Sequence, residues 1–353
     1  MYLGIEIGGT KLQWIVGNGR DTTWLDRRIT AVDRSRQADG IRDQLIEVTR
    51  EFMEAYPQIE RIGIGFGGPV DSVHGRVITS HQIDGWRDFP LTEWMAARFG
   101  RPAILANDSD CAGLAEAVYG AGRGAANVFY SNVGSGIGGA FIIRGQLYTG
   151  GSGIASEIGH LRPIPVDEAS SEPSMCSAHS VCSSRSSDSS HSAYCSDSSD
   201  FSQANQNIPD VEAMASGWAI TEYVRARCLA SPRAAQALEI LDSIGGSLDL
   251  LDTRAVVRCA LERRNPIAMA AMARCTRVYG WAIAQMITLL SPEVVVIGGG
   301  VSLADSSLFL TPLRERVSQN VFPALRDTYR LVLATLGEEV VAAGAIAIAA
   351  TDV

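Results

Sequence analysis

Two stretches of this chain repeat one device: a short apolar run, a glycine-rich turn and a second apolar run. Tyr2–Ile7 and Leu12–Gly17 flank Gly8-Gly9-Thr10-Lys11. Val128–Val133 and Ala140–Ile143 flank Gly134-Ser135-Gly136-Ile137-Gly138-Gly139. Apolar runs this short, broken by glycines that reach backbone conformations other residues avoid, read as strand, turn and strand. One such hairpin at the start of each half points to a duplicated architecture, although the two stretches are weakly similar as sequence.

Beyond each hairpin the chain reads as mixed helix and strand. The spacing of Ile41, Leu45, Val48 and Phe52 predicts a helix over 41–55 that stops at Tyr56-Pro57. Arg61–Phe66 reads as a strand running into Gly67-Gly68-Pro69, and Leu91–Phe99 as a helix capped by Gly100. Ala103–Ala106 reads as a buried strand leading to Asn107-Asp108-Ser109-Asp110, with a helix from about Cys111 to Tyr119. In the second half a helical region resumes near Val211, and Arg274–Leu290 is a long apolar helix ended by Ser291-Pro292. Val294–Ile297 is a buried strand entering Gly298-Gly299-Gly300, and Val340–Ala350 reads as a buried helix packed closely through Ala and Gly. The class is α/β. A length of 353 residues suggests two domains at roughly 100–200 residues each.

Charge and composition exclude several functions. Lys plus Arg total 30 against 39 Asp plus Glu, a net charge of −9 with no basic cluster, which disfavours nucleic-acid and membrane-surface partners. No apolar run reaches the roughly 18–20 residues of a membrane helix, and the N-terminus shows no secretory signal. An odd count of seven cysteines (111, 176, 182, 195, 228, 259 and 275) fits a reducing cytoplasm better than a disulfide framework. Residues 170–202 hold 16 Ser and few large apolar side chains, so about 168–207 is expected to be a flexible surface insertion.

Two stretches match G-x-G-x-x-G, at Gly63/Gly65/Gly68 and Gly134/Gly136/Gly139. A dinucleotide site needs a helix straight after the glycines, and here strands come next. Gly8-Gly9-Thr10-Lys11 fails as a Walker loop for the same reason and because Thr precedes Lys. A glycine hairpin can still hold phosphate, since successive backbone N–H groups form a concave anion site and absent Cβ atoms let oxygens approach. Thr10 adds a hydroxyl and Lys11 a charge. Two such hairpins and a third glycine cluster after a buried strand favour phosphate binding over plain turns.

Taken together, Gly4–Lys11, Gly67-Gly68-Pro69-Val70-Asp71, Asn107-Asp108, Gly134–Gly139, Glu157-Ile158-Gly159-His160 and Ile297–Ser302 resemble the ROK family (repressors, open reading frames, sugar kinases). Its members include bacterial glucokinases, fructokinases and N-acetylhexosamine kinases. The resemblance covers nearly the whole chain, in order, apart from the Ser-rich insertion. It implies an actin-like ATPase (ribonuclease H-like) fold, two α/β domains around a cleft that takes ATP, Mg²⁺ and sugar. Residues 1–107 would form the smaller domain, completed by a C-terminal helix at 338–353, and 108–337 the larger. Asp108 would be the catalytic base. Gly68, Asn107, Glu157, His160 and Glu212 would hold the sugar. Gly8, Gly9, Thr10 and Lys11 would form the first phosphate loop and Gly134, Ser135 and Gly136 the second. Gly298, Gly299 and Gly300 would lie at the adenosine. A homodimer in the cytoplasm is implied as well.

The chemistry agrees with these roles. A sugar hydroxyl must lose a proton as it attacks the γ-phosphorus, and a carboxylate within hydrogen-bond reach can take it. Read without the resemblance, Asp108 would be a helix N-cap, Glu157 a solvated acid and His160 a structural histidine. Three departures stand out. Glu6 replaces the usual Asp, with a longer arm toward the metal–phosphate unit. Gln82 replaces Asn near the sugar. The compact cysteine run that binds zinc with histidine in many relatives is missing, and Asp210 sits near where its last cysteine would fall. Cys176, Cys182 and Cys195 lie inside the Ser-rich insertion, where gathering them with His160 on zinc is entropically costly, so no structural zinc is expected.

The leading expectation is an ATP-dependent hexokinase of the glucokinase type that makes glucose 6-phosphate, with glucose favoured only because it is common in the family. An N-acetylhexosamine kinase or a fructokinase is an alternative acceptor choice. A sugar-responsive repressor would need a DNA-binding helix-turn-helix ahead of Gly4, for which no room is expected. A sugar-binding protein without transfer activity is the remaining class.

Overall fold

The computed structural model describes residues 1–80, 83–163 and 208–351. The expected Ser-rich insertion, its three cysteines and Gln82 therefore lie outside the described residues.

Both hairpins form, and each is the start of a five-stranded sheet. In the first, β1 (Tyr2–Ile7) pairs antiparallel with β2 (Lys11–Gly17), which pairs with β3 (Asp26–Ala31). On its other side β1 pairs parallel with β4 (Arg61–Phe66), and β4 with β7 (Ala103–Asn107). The strands β5 (Val70–Asp71) and β6 (Arg76–Val77) form a separate small ribbon. In the second sheet β8 (Asn127–Val133) pairs antiparallel with β9 (Ile137–Ile143), which pairs with β10 (Gln146–Leu147). There β8 pairs parallel with β11 (Val294–Gly298), and β11 with β12 (Arg330–Leu333). The orders β3-β2-β1-β4-β7 and β10-β9-β8-β11-β12 are the same pattern twice. The duplication suggested by the two glycine turns is real at the level of topology.

Each sheet is covered on both faces. Leu3, Ile5 and Ile64 pack with Ile41, Leu45, Val48 and Phe52 of α1 (Gln37–Ala55) and with Leu91 and Met95 of α2 (Leu91–Phe99). On β8, Phe129 faces the helices of the second half while Tyr130 faces α3 (Asp108–Val118), the period-2 alternation of a strand buried on two sides. Those helices are α4 (Val211–Ala215), α5 (Gly217–Ala230), α6 (Ala235–Ser243), α7 (Thr253–Glu262), α8 (Pro266–Leu290) and α9 (Leu310–Asn320). The expected C-terminal helix is α10 (Val340–Ala350).

Between the sheets, α10 packs on β1, β4 and α3, and α3 on β8 and β9. Small residues allow this. A Cβ at Gly63 would overlap the Ala345 carbonyl, and one at Gly344 would overlap the Cys111 carbonyl. Gly63 therefore serves helix packing, which explains the G-x-G pattern without a dinucleotide.

Three expectations need correction. The polar strand β3 was not expected from DRRITA; it is a charged edge strand, exposed over most of its length. The helix placed at Cys111 begins at Asp108, and the one placed at Arg274 begins at Pro266 behind an Asn265 cap. Among the described residues no helix is long and apolar enough to cross a membrane.

Candidate active site

The first glycine turn is held by its own backbone. Gly8 N–H donates to the Lys11 carbonyl at 3.1 Å, and Val32 N–H to the Thr10 carbonyl at 3.0 Å. The Arg34 guanidinium donates to the Gly9 carbonyl at 3.0 and 2.6 Å, leaving Thr10 exposed. Lys11 Nζ does not project freely from the turn. It lies 3.4 Å from Glu6 Oε2 and donates to the Glu338 carbonyl at 3.2 Å. Burial pushes the Glu6 carboxyl up to about 7; Lys11 opposes the shift, and Asp108 and Glu338 add to it.

Asn107 and Asp108 occupy the switch from β7 to α3. Asn107 has extended backbone, and its Oδ1 accepts from Ser109 N–H at 2.8 Å, so Asn107 is the N-cap. Reading Asp108 as the cap is thereby overturned; it is the first helical residue. The Asn107 amide also donates to the Gly68 carbonyl at 3.0 Å, which ties the Gly67-Gly68-Pro69 loop to the helix start. Asp108 Oδ1 accepts from Ser109 N–H at 2.8 Å. Its Oδ2 faces Gly67, where a Cβ would stand 3.5 Å away. Ser109 Oγ donates to Asn132 Oδ1 at 3.0 Å, near the end of β8. Asp108 thus sits between the loop beside the first glycine turn and the strand that feeds the second. Burial raises its carboxyl above the usual range, against the Ser109 hydrogen bonds and with help from Glu157.

A small cleft, open to solvent, lies next to it. Pro69, Asn107, Asp110, Gly139, Ala155 and Glu157 are among its walls. The first and second halves of the chain both contribute. Burial raises the Glu157 carboxyl; His160 opposes this and Glu212 adds to it. His160 Nε2 lies 4.0 Å from Glu157 Oε2, and His160 Nδ1 lies 3.4 Å from Asp210 Oδ2. Asp210 also caps α4, accepting from Ala213 N–H at 2.8 Å. It thereby ties His160 to the start of α4. Among the described residues no group of three or more His, Cys, Asp or Glu side chains could hold a metal ion.

The second glycine turn closes on Gly134 N–H donating to the Gly136 carbonyl at 2.9 Å, with Ser135 exposed at its tip. Glu212 Oε2 accepts from Ile137 N–H at 2.7 Å, so its carboxylate lies at this turn. Gly217 N–H donates to the Gly134 carbonyl at 2.7 Å, docking the start of α5 on the same loop. The third cluster joins them. Gly299 has φ +85°, and a Cβ there would overlap the Val133 carbonyl. Only glycine fits that approach. Gly298 is buried, and Gly299 and Gly300 are exposed beside the second turn.

Sequence reading gives two residues of this region no role: Asp210 stands out only for its place near the missing cysteine run, and Asp110 only as part of the loop after Asn107. Asp210 could have been found as an acid three positions before Ala213 at a helix start. Asp110 gave no separate signal, because its place in the cavity depends on Gly139, Ala155 and Glu157 from the other half.

The sequence matches the ROK family over residues 2–352. It is 29% identical to the glucokinase of Thermotoga maritima, over 98% of this chain and 96% of that protein. It is 23% identical to a putative xylose repressor of a Caldicellulosiruptor species, over 100% of this chain and 78% of that protein. The crystal structure of a ROK family glucokinase from Streptomyces griseus, in complex with glucose and AMPPNP, superposes with a TM-score of 0.71 at 26% identity, covering 99% of this chain and 98% of that one. The repeated sheets are those of the actin-like ATPase fold, and the chain belongs to the ROK family.

Proposed function

We propose that this protein is an ATP-dependent sugar kinase that phosphorylates a hexose hydroxyl, with glucose to glucose 6-phosphate as the first choice. The observation that carries the reading is the position of Asp108. Its second oxygen faces Gly67 beside the first glycine turn, and the flanking Asn107 and Asp110 wall the cavity with Glu157. The glucokinase relatives and the glucose–AMPPNP complex support the same substrates.

In this reading Asn107, Glu157, His160 and Glu212 orient the sugar, with the Gly68 backbone beside them. The Asp108 carboxylate accepts the hydroxyl proton as the sugar oxygen bonds to the γ-phosphorus. The bond from that phosphorus to the bridging oxygen breaks, and ADP leaves. The backbone of Gly8–Lys11 and of Gly134–Gly136 carries the phosphate oxygens, and Gly298–Gly300 borders the adenosine. Glu6 fits a hydrated magnesium ion held mainly by phosphate, since such an ion needs only one or two protein carboxylates. When bound, that ion neutralises charge on the phosphate oxygens.

Domains 1–107 (with the C-terminal helix) and 108–337, a homodimer and a cytoplasmic setting complete the proposal. The four described cysteines are buried and unpaired, as a reducing compartment allows. A coupled ADP-release assay with Mg-ATP tests it against glucose, mannose, fructose and N-acetylhexosamines. Turnover with one of them establishes the kinase and names its acceptor. Sugar binding without turnover would instead favour the regulatory reading that the repressor relative raises.

A further inference from the structure

The proposed reading leaves one side chain of the cleft unused. Asp110 lies two residues beyond Asp108 in the first turn of α3 and lines the cavity with Asn107 and Glu157. An acid at this helical position often bonds back to the cap. Asn107 already takes the Ser109 N–H, and the influences on the Asp110 carboxyl are burial and the charges of Glu157 and Asp108 alone.

Among the described residues no positive charge faces it. The elements packed on α3 bring almost nothing ionisable: α10, β7, β9 and β10 carry no charged side chain, β8 offers only Tyr130 and β4 only Arg61 at its far end. Among the described residues Asp110 has no donor and Glu157 has only His160, 4.0 Å away, so these carboxylates need their donors from a ligand. Adjacent hydroxyls of a polyol supply them without adding charge. A carboxylate or phosphate on the ligand would meet like charge at close range.

Resting on the sugar-kinase reading, we propose that Asp110 is a specificity-determining residue. Its carboxylate accepts a hydrogen bond from an acceptor hydroxyl beside the one Glu157 holds, selecting neutral polyhydroxy sugars over anionic ones. Its carboxyl is pushed up to about 7, first by burial and then by Glu157 and Asp108. Ionisation improves it as an acceptor, so sugar binding tightens as pH rises from 6 to 8.

Calorimetric titration of the full-length protein with glucose and with glucuronate, at pH 6 and pH 8, tests this in wild type, Asp110→Asn and Asp110→Glu. Asp110→Asn should bind glucose about 10- to 100-fold more weakly, the loss of one charge-assisted hydrogen bond. Its preference for glucose over glucuronate should narrow by a similar factor, the pH 6-to-8 tightening should shrink, and the KM for ATP should hold. Asp110→Glu should restore part of the preference. Equal losses for both ligands, or an unchanged glucose affinity, would overturn the assignment and leave the kinase reading standing. A wild-type protein that binds no neutral sugar would overturn both.

Discussion

Asp108 owes its chemistry to where the chain turns from strand to helix. Its neighbour Asn107 takes the capping role, which leaves one Asp108 oxygen without a partner beside Gly67. Because burial raises this carboxyl, the acid limb of the rate profile should lie above the range of an ordinary carboxylate, and kcat should fall as pH drops through it. Glu6 makes a separate prediction about stability. A carboxyl whose folded pKa is raised favours the native state while protonated, fully so below the unfolded value of 4.5, and that contribution is lost as pH rises toward about 7. The melting temperature should therefore decline between pH 5 and pH 8, and Glu6→Gln should flatten the decline. At Gly299, replacement by Ala should destabilise by about 1–3 kcal/mol, read by urea unfolding, because its positive φ and the Val133 carbonyl both exclude a Cβ. The site role of the Asn107-Asp108 pair was legible only through the family resemblance, because alone two polar residues between an apolar strand and a helix read as a cap. The engagement of Lys11 with the Glu338 carbonyl was not legible, since that contact joins residues 327 positions apart.

Among the elements, those with strong local signals were legible: glycine turns between apolar runs, α1 by its spacing and α10 by its small residues. The strand β3 was hidden because only its pairing with β2 makes it a strand; its residues bury almost nothing. The start of α3 was read late because its first turn, Asp108-Ser109-Asp110, is polar; α8 opens on apolar residues, and the signal passed over there was the Asn265 cap with Pro266 at the first helical position. One contact holds α3 to the segment before α10. The fully buried Glu116 carboxylate accepts from Ala121 N–H at 2.8 Å, Thr335 N–H at 2.7 Å and Leu336 N–H at 2.8 Å. Glu116→Ala strands these donors and should cost about 3 kcal/mol or more in urea unfolding. Glu116→Gln, which keeps an acceptor, should cost less.

At the scale of the molecule, the two repeated sheets meet through α3 and α10, and the cavity is walled by residues from both halves. A ligand held between the halves should draw them together and exclude water. Small-angle scattering should show a smaller radius of gyration with saturating sugar; an unchanged radius would count against closure. The central claim is that Asp108 moves the proton at this junction. The most direct measurement pairs sugar-dependent ADP release with calorimetric sugar binding in Asp108→Asn and wild type. We predict that turnover falls by about 10²–10⁴-fold while sugar affinity stays within a few-fold of wild type. Turnover near the wild-type rate in Asp108→Asn, with sugar still bound, would contradict the account.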